Sequence, residues 1–376
     1  MSLFESLYFY ASYIAPFIFV LSIVVFFHEL GHFAVGRWCG VKVDVFSLGF
    51  GPELFAFVDR KGTRWRFAAL PLGGYVKFHG DMNAASMADP QALAAMPAEE
   101  RKVSFFAQSV SKRAAIVAAG PIANFILAIV IFAAVFFMFG RNVLTPQVNE
   151  VRPGEAGAMA GFQPGDLIVA IDGETITSWA AMQRIVQKSA GVQLAFTVQR
   201  GAKEIRLAAT PAIREFKTRF GTQRIGMIGL TARAEASDWR TENYGLGQSF
   251  GLAVSETWFI IERTGAFLGG LIAGRESPDN LSGPIGIATM AGEVAKVGLV
   301  ALLNLAAVLS ISVGLLNLLP VPLLDGGHLL YYAYEAIRGR PMSERAQEFG
   351  FRIGIAIVGA LFLFATANDL FRIALG

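Results

Sequence analysis

The residues of this chain best suited to chemistry lie close together: His28, Glu29 and His32, in the order His-Glu-Leu-Gly-His. On an α-helix, positions i and i+4 share a face, so both imidazoles can bind one zinc ion. Glu29 then lies beside the metal, where it can act as a general base on water. Two packed histidines could match the pattern by chance, but the chain has only four histidines. The spacing therefore predicts a catalytic zinc site.

The segment that carries these residues is apolar and long. Residues 14–36 read IAPFIFVLSIVVFFHELGHFAVG, and about 20 apolar residues are enough to span the hydrocarbon core of a bilayer. Ionisable side chains at membrane depth are costly, so their presence indicates function. We therefore expect the zinc-site helix to lie in the membrane.

The composition is that of a membrane-embedded protein. Of the 376 residues, 54% are hydrophobic and 16% are charged, whereas soluble proteins have about 25% charged residues. The net charge of +3 is too small to indicate nucleic-acid binding. The single cysteine, Cys39, excludes an intramolecular disulfide. No Lys or Arg precedes Arg37, so a cleavable signal peptide is not expected.

Four long apolar segments predict transmembrane helices. They cover roughly 14–36, 114–139, 297–319 and 353–371. The connections within the first pair and within the last pair are rich in Lys and Arg, so the positive-inside rule places both in the cytoplasm. Both termini and the long segment 140–296 then lie outside, and the zinc site lies in the cytoplasmic third of the first helix.

The connection after the first helix has a β pattern. Residues 40–80 alternate short apolar runs with Gly, Pro and Asp-Arg-Lys-Gly turn signals, which predicts β-hairpins. They are too apolar for a plain cytoplasmic loop. Two interpretations remain open: a hairpin that dips against the membrane helices, and an ordinary surface hairpin. Residues 81–100, rich in Ala and Met, are predicted to form a loop.

A small soluble α+β domain is predicted between the two membrane halves, over about 146–211. Residues 160–173, AGFQPGDLIVAIDG, a helix near 178–189 and two further strands resemble a bacterial PDZ domain. PDZ domains bind an extended peptide or a C-terminus by adding a strand to a sheet edge. The alternative is a steric spacer without a bound peptide.

The remainder of the insert is predicted to be strands, a linker and one helix. Segment 244–274 is apolar but is interrupted by Glu256, Glu262 and Arg263, so we expect an amphipathic helix in the membrane interface and not a fifth span. The expected domains are a first membrane half at 1–139, a PDZ domain at 140–215, a linker with the interfacial helix at 216–296, and a second membrane half at 297–376.

The end of the third apolar segment supplies further site candidates. It reads NLLPVPLLDGGH from Asn317 to His328, and Pro and Gly that break a helix at membrane depth indicate a site. A catalytic zinc needs three protein ligands and one open position. Candidates for the third ligand are Asp325, His328, His79 and Asp44. The predicted depth and the Gly-flanked turn favour Asp325, with His328 as its closest rival.

Taken together, six motifs resemble the bacterial site-2 proteases, intramembrane zinc metalloproteases of the regulator-of-sigma-E protease type. The motifs are HELGH, GFGP, PLGGYVK, AGPIAN, SGPIGIA and NLLPVPLLDGGH, in the order of the family and spread over nearly the whole chain. The resemblance implies one Zn²⁺ bound by His28, His32 and Asp325, with Glu29 as the catalytic base. The expected fold class is a polytopic α-helical membrane protein with about four transmembrane helices, a membrane-associated β-hairpin region and one inserted α+β PDZ domain.

The resemblance also implies a substrate and a location. Asn317, Pro320 and Pro322 are expected to hold the substrate strand, and Asn124 to have a structural or supporting role. The expected substrate is a single-pass protein of the bacterial inner membrane, already trimmed outside by another protease: an anti-sigma factor of a stress response or a remnant signal peptide. Many members have two tandem PDZ domains, whereas this chain has room for one, so gating by a PDZ pair is not expected.

Two other classes of function compete with proteolysis. A membrane scaffold bearing a PDZ domain would not need three polar ligands at one depth. A metal transporter would not need a Glu beside the first His. Replacing Glu29 by Gln separates the three, because transport or scaffolding should survive the change and proteolysis should not.

Overall fold

The structure, a computed structural model, describes residues 3–80, 96–218, 221–232, 238–278 and 281–375. Among these, four helices are long and apolar enough to cross a membrane: Ala11–Trp38, Val110–Phe139, Leu299–Asn317 and Glu344–Arg372. They correspond to the four predicted spans. The predicted fold class is confirmed: along the chain, helical membrane segments precede and follow a β-rich middle. Of the loop predicted at 81–100, residues 81–95 lie outside the described part of the chain.

The chain divides into two compact units, which we describe separately. The first comprises Met1–Val135, Gly247–Ala266 and Pro278–Gly376, and the second Phe136–Leu246 and Phe267–Ser277. In chain order the elements are α1 (Leu3–Trp38), β1 (Val43–Val58), β2 (Arg64–Phe78), α2 (Ala98–Val103), α3 (Val110–Phe139), β3 (Arg141–Leu144), β4 (Val148–Val151), α4 (Ala156–Met159), β5 (Leu167–Ile171), β6 (Glu174–Thr175), α5 (Trp179–Lys188), β7 (Leu194–Arg200), β8 (Lys203–Ala209), β9 (Ala212–Thr218), β10 (Gly221–Met227), β11 (Leu230–Ala232), β12 (Trp239–Glu242), α6 (Leu246–Ile272), α7 (Pro284–Val297), α8 (Leu299–Asn317), α9 (Asp325–Arg338) and α10 (Glu344–Leu375).

Helix α1 ends in a glycine cap that turns the chain into the sheet. Gly40 has a φ of 86°, and its amide donates to the carbonyl of Arg37. The next amide, of Val41, donates to the carbonyl of Gly36. These two bonds form a Schellman motif, which satisfies carbonyl groups at the end of a helix. The chain can therefore leave the helix and begin β1 with the carbonyl groups of Gly36 and Arg37 paired.

Strands β1 and β2 confirm the predicted β-hairpin region and are strongly bent. Residues 45–48 of β1 pair on one side with 64–67 of β2 and on the other side with 74–77. The far half of β1 pairs with the start of β2 alone. The last part of β2 is consequently an edge, with β1 on one side only. Several apolar side chains of the two strands are exposed: Phe50, Leu54, Phe55, Phe57, Val58 and Leu70.

The turn of this hairpin is fastened to the end of α1 by the carboxylate of Asp59. Arg37 donates to it at 2.5 Å, the indole nitrogen of Trp65 at 3.1 Å, and the amide of Thr63 at 3.1 Å. Desolvation raises the pKa of Asp59, but these hydrogen bonds outweigh it and hold that pKa at about 2. The sheet is thus anchored at the predicted Asp-Arg-Lys-Gly turn.

The second unit is the β-rich, PDZ-like domain. Its four-stranded sheet has the order β6-β5-β7-β8, and α5 matches the helix predicted near 178–189. Ser178 caps that helix by accepting from the amide of Ala181 at 3.2 Å. Phe162, Ile168 and Phe196 lie in a separate buried core. The unit therefore has its own apolar interior, as expected for an inserted domain.

The segment 216–296, expected to contain a linker and one interfacial helix, forms strands β10, β11 and β12 followed by two helices, α6 and α7. Helix α6 is not among the four candidate spans in the described chain. Helix α7 packs against α1 in the first unit. Its start is held by Asp369 of α10, whose carboxylate accepts from the amides of Gly283 and Gly286 at 3.1 and 2.8 Å. The SGPIGIA motif is therefore a helix start anchored to the last membrane helix.

Candidate metal and catalytic site

The two histidines of the HELGH motif lie where α1 crosses α3 at very short range. A Cβ atom at Gly31 would lie 2.3 Å from the carbonyl oxygen of Ala119. A Cβ atom at Gly120 would lie 2.2 Å from Nε2 of His32 and 2.9 Å from Cε1 of His28. Each glycine removes a side chain that would separate the helices. The imidazoles can therefore lie directly against α3.

Asp325 meets the two histidines from the other half of the chain. The Nε2 atoms of His28 and His32 are 3.2 Å apart. Oδ2 of Asp325 lies 3.2 Å from the first and 3.5 Å from the second. All three side chains are largely buried. In the described part of the chain, these three residues form the group whose ligand atoms could together hold a metal ion.

The spacing of these three atoms fits a tetrahedral zinc ion. Zinc binds imidazole nitrogen and carboxylate oxygen at about 2.0–2.2 Å, which places the ligand atoms of a tetrahedron about 3.3–3.6 Å from one another. Oδ2 of Asp325 is buried and accepts no hydrogen bond from the described residues. A buried carboxylate oxygen without a partner is costly, and a cation supplies the missing interaction. Three N and O ligands are also the donor set of catalytic zinc sites.

The second nitrogen of each histidine contacts α3. Nδ1 of His32 lies 2.9 Å from the carbonyl oxygen of Ile116. A carbonyl only accepts, so Nδ1 carries the proton and leaves the lone pair of Nε2 free for a metal. Nδ1 of His28 faces the side-chain amide of Asn124 at 3.3 Å. Helix α3 therefore contributes a backbone contact to the ring of His32 and, from Asn124 of the AGPIAN motif, a side-chain contact to the ring of His28.

Asp325 is positioned by a tightly folded turn. It is the first residue of α9, where the helix dipole favours a negative charge. A Cβ atom at Gly326 would lie 2.3 Å from the carbonyl oxygen of Leu318, and one at Gly327 would lie 2.3 Å from that of Val321. The two glycines after Asp325 thus let the start of α9 fold back on the turn.

The turn before Asp325 contains two prolines, Pro320 and Pro322. Pro322 packs against α10, where a Cβ atom at Gly354 would lie 2.2 Å from its carbonyl oxygen and one at Gly350 would lie 3.5 Å from its ring. Pro320 is exposed. Neither is among the residues that line the cavity at the metal ligands. Their position indicates that they shape the turn.

Glu29 and the three candidate ligands line one cavity of about 250 Å³. Its carboxylate accepts a hydrogen bond from the backbone amide of Val76. The cavity is also lined by Gly74, Tyr75 and Asn317. A water molecule occupies about 30 Å³ in the liquid, so the cavity has room for several. The edge of β2 therefore holds the candidate base where water can reach it.

The other sequence-predicted candidates lie outside the group of three. His328 lines the same cavity but does not belong to the group of three possible metal ligands. Nδ1 of His79 lies 3.0 Å from a carboxylate oxygen of Asp44, so these two candidates form a hydrogen-bonded pair of their own. Asn317 lines the cavity, and its amide donates to the carbonyl of Val313 in its own helix at 3.1 Å.

A buried ion pair that no sequence pattern indicates connects α3 to α9. Nη2 of Arg113 lies 2.7 Å from Oε1 of Glu335, and the two side chains are 11% and 16% exposed. The guanidinium also lies over the ring of Tyr332, 5.0 Å from its centre. The two residues are 222 positions apart, so no local sequence pattern predicts the contact. The pair joins the helix behind the histidines to the helix that begins at Asp325.

Comparison with known proteins identifies the family. The profile of peptidase family M50 matches residues 16–361. A protein of Agrobacterium fabrum with the name of a zinc metalloprotease is 48% identical over 363 residues, 96% of each chain. The metalloprotease MmpA of Caulobacter vibrioides is 40% identical over 378 residues, 94% of each chain. The regulator of sigma-E protease RseP of Escherichia coli is 32% identical over 457 residues, 96% of this chain and 98% of that protein.

These matches cover nearly the full length of the chain and of the relatives. The protein is a zinc-dependent metalloprotease embedded in a lipid bilayer, and its substrate is a membrane protein. The sequence-based recognition of the family is confirmed. The chain belongs to peptidase family M50, the site-2 protease family.

Proposed function

We propose that this protease hydrolyses a peptide bond within the transmembrane segment of a single-pass membrane protein. His28, His32 and Asp325 bind the zinc ion, and Glu29 is the catalytic base. The observation that carries the proposal is the set of distances among the three ligand atoms, 3.2, 3.2 and 3.5 Å, at a cavity that Glu29 also lines.

The chain's own residues account for the proton transfers and the placement of the reactants. Bound zinc supplies a Lewis acid that activates water and polarises the scissile carbonyl. The Glu29 carboxylate takes a proton from the attacking water and returns it to the leaving amine. The hydrogen bond from the amide of Val76 keeps that carboxylate directed into the cavity. The apolar helices around the site limit the water that enters.

The edge of β2 is the proposed docking site for the substrate backbone. A transmembrane helix hides its backbone in internal hydrogen bonds, so it must unwind before attack. Gly74, Tyr75 and Val76 line the cavity, and their strand pairs with β1 on one side only. An unwound substrate can add to such an edge as a further strand. Rotation of the Asn317 amide away from Val313 would supply one more backbone partner, while Pro320 and Pro322 fix the turn that follows.

The proposed substrate has already been trimmed outside the membrane. The chain resembles, at 32% identity, a protease whose name refers to the regulation of sigma-E. An anti-sigma factor of a stress response, or a remnant signal peptide, is therefore the substrate class that we propose. The PDZ-like domain would exclude untrimmed chains or bind the new C-terminus, in line with the peptide binding of PDZ domains.

The proposed location is the bacterial inner membrane, with both termini and the PDZ-like domain on the periplasmic side. His28 precedes the end of α1 at Trp38 by ten residues, or about 15 Å at 1.5 Å per residue. Arg37 lies in the last turn of that helix. His32 precedes the same end by six residues, or about 9 Å, so a basic end in the cytoplasm would place the zinc site near the cytoplasmic side of the membrane.

The test is a comparison of zinc content and cleavage for purified full-length variants in detergent. The wild-type protein should hold one zinc ion and cleave a reporter transmembrane helix. Glu29→Gln should retain zinc and lose cleavage, because it removes only the base. Asp325→Ala should lose both, whereas His328→Ala should retain zinc. Zinc that survives Asp325→Ala and disappears in His328→Ala would transfer the ligand role to His328.

The docking proposal has its own test. Substitutions in 74–78 that leave zinc content unchanged should slow cleavage of a Leu-rich reporter helix more than cleavage of a Gly-rich one, because the stable helix needs more help to unwind. Equal slowing of both reporters would contradict strand addition at this edge. Faster cleavage of a reporter without its periplasmic domain would support the exclusion role of the PDZ-like domain, and equal rates would contradict it.

A further inference from the structure

Asn124 is a fully buried polar side chain at the point where α3 meets α1 and α8. Its Nδ2 atom lies 3.3 Å from Nδ1 of His28. Its Oδ1 atom has no hydrogen-bond partner among the described residues. Ser310 of α8 donates to its backbone carbonyl at 2.8 Å, which leaves the side-chain amide uninvolved. Among the described residues, the imidazole of His28 is the polar group that lies within hydrogen-bond distance of this amide.

The chemistry of the ring decides which end of the amide must face it. If Nε2 of His28 donates its lone pair to zinc, the neutral ring carries its proton on Nδ1. That N–H needs an acceptor, as the N–H of His32 has in the carbonyl of Ile116. The NH₂ end of an amide cannot accept. Half a turn of the carboxamide exchanges its two nearly identical ends and places the unpartnered Oδ1 opposite Nδ1.

We infer that Asn124 is a positioning residue of the metal centre. Its Oδ1 accepts the Nδ1 proton of His28, holds the ring in the tautomer with a free Nε2, and fixes its orientation toward Asp325 and His32. The two histidines are then treated alike, one by a backbone carbonyl and one by a side-chain carbonyl of the same helix. The inference rests on the proposed role of His28 as a zinc ligand.

The burial of Asn124 gives the inference its physical weight. A buried amide that finds no partner is destabilising, and an apolar residue of similar size would fill the same space without that cost. The half-turned amide removes the conflict, because Oδ1 is satisfied and the His28 proton is satisfied by the same bond. Outer contacts of this kind typically change metal affinity about 10- to 100-fold when they are removed.

Four full-length variants test the inference by zinc affinity, measured in detergent by competition with a chelator. Asn124→Leu keeps the size and removes the acceptor. Asn124→Asp keeps an acceptor at the same place and removes the donor. Ser310→Ala is the matched control, since it removes a buried hydrogen bond to the same residue but none to His28. His28→Ala shows whether zinc is bound at the proposed site at all.

We expect Asn124→Leu to bind zinc about 10- to 100-fold more weakly, and Asn124→Asp and Ser310→Ala to stay within about threefold of wild type. With Co²⁺ in place of zinc, Asn124→Asp should keep the wild-type visible absorption band. Unchanged zinc affinity in Asn124→Leu overturns the inference. A loss of zinc affinity in Asn124→Asp also overturns it, and this second variant gives the answer if Asn124→Leu does not fold. Unaltered zinc in His28→Ala would instead remove the proposed function.

Discussion

A methyl group at Gly120 would occupy the space that the metal ligands need. The added Cβ would lie 2.2 Å from Nε2 of His32 and 2.5 Å from Cε1 of the same ring. Ordinary contacts between such atoms are about 3.5 Å, so the ring must move by more than about 1 Å. The zinc–nitrogen bond is only about 2.0–2.1 Å long, and a ligand displaced that far is lost. We expect Gly120→Ala to weaken zinc binding at least about 100-fold, or about 3 kcal/mol.

The same substitution should otherwise favour the fold, which makes the test selective. Alanine is a better helix former than glycine by about 1 kcal/mol. Gly359, in α10, is the matched control, because a Cβ atom there meets nothing within 4 Å. The assay is chelator competition for zinc, with thermal unfolding in detergent measured in parallel. Gly359→Ala should leave zinc affinity unchanged and should raise the unfolding temperature by no more than the gain in helix propensity, about 1 kcal/mol.

Two results would refute this account of the site. If Gly120→Ala bound zinc within about threefold of wild type, the close contact would not constrain the ligands. If it unfolded at a much lower temperature and still bound zinc normally, the helices would have separated to make room. Overpacking of that kind typically costs about 1–3 kcal/mol, which unfolding measurements resolve.

Three further predictions concern the surroundings of the site. A Cβ atom at Gly74 would lie 2.8 Å from the carbonyl oxygen of Ser47 in β1 and 3.0 Å from Cγ of Glu29. Gly74→Ala should therefore displace the edge of β2 and the base together, and slow cleavage about tenfold or more while zinc content stays at one per chain. Arg113→Met should destabilise the protein by about 3–5 kcal/mol in detergent unfolding, and a second change, Glu335→Leu, should recover most of it, because the buried charge is then no longer unpaired. The pKa of Asp59, about 2, lies below its ordinary value, so the charged carboxylate stabilises the fold by about 1 kcal/mol above pH 4, and this stabilisation is lost as the pH falls through 2. In Asp59→Asn, the unfolding temperature should lack this part of its pH dependence.

The features that the sequence predicted correctly have local causes. The length of each apolar run predicts a span, and a spacing of four residues places His28 and His32 on one helix face. The Asp-Arg-Lys-Gly turn of the hairpin follows from turn chemistry in the same way. The sequence does not predict helix α7 as an element of its own, because its 14 residues are too few for a membrane span.

The features that the sequence did not reveal depend on contacts between distant residues. The carbonyl of Ile116 meets His32 across 84 positions, and nothing in the local sequence of either residue indicates it. The residues alone left the third ligand open, since Asp325 and His328 share one turn of helix. The structure separates the two, because Oδ2 of Asp325 lies against both imidazoles while His328 only lines the cavity.

Two different parts of the fold position the metal ligands and the base. The ligands depend on the packing of α1 against α3 and on the turn before α9, where glycines permit contacts that no other residue would allow. The base depends on the hairpin, through the amide of Val76. A change in helix packing should therefore remove zinc, and a change at the hairpin edge should reduce the rate with zinc in place. Gly120→Ala and Gly74→Ala compare the two directly; loss of zinc from both variants would mean that hairpin and helices position the site as one body.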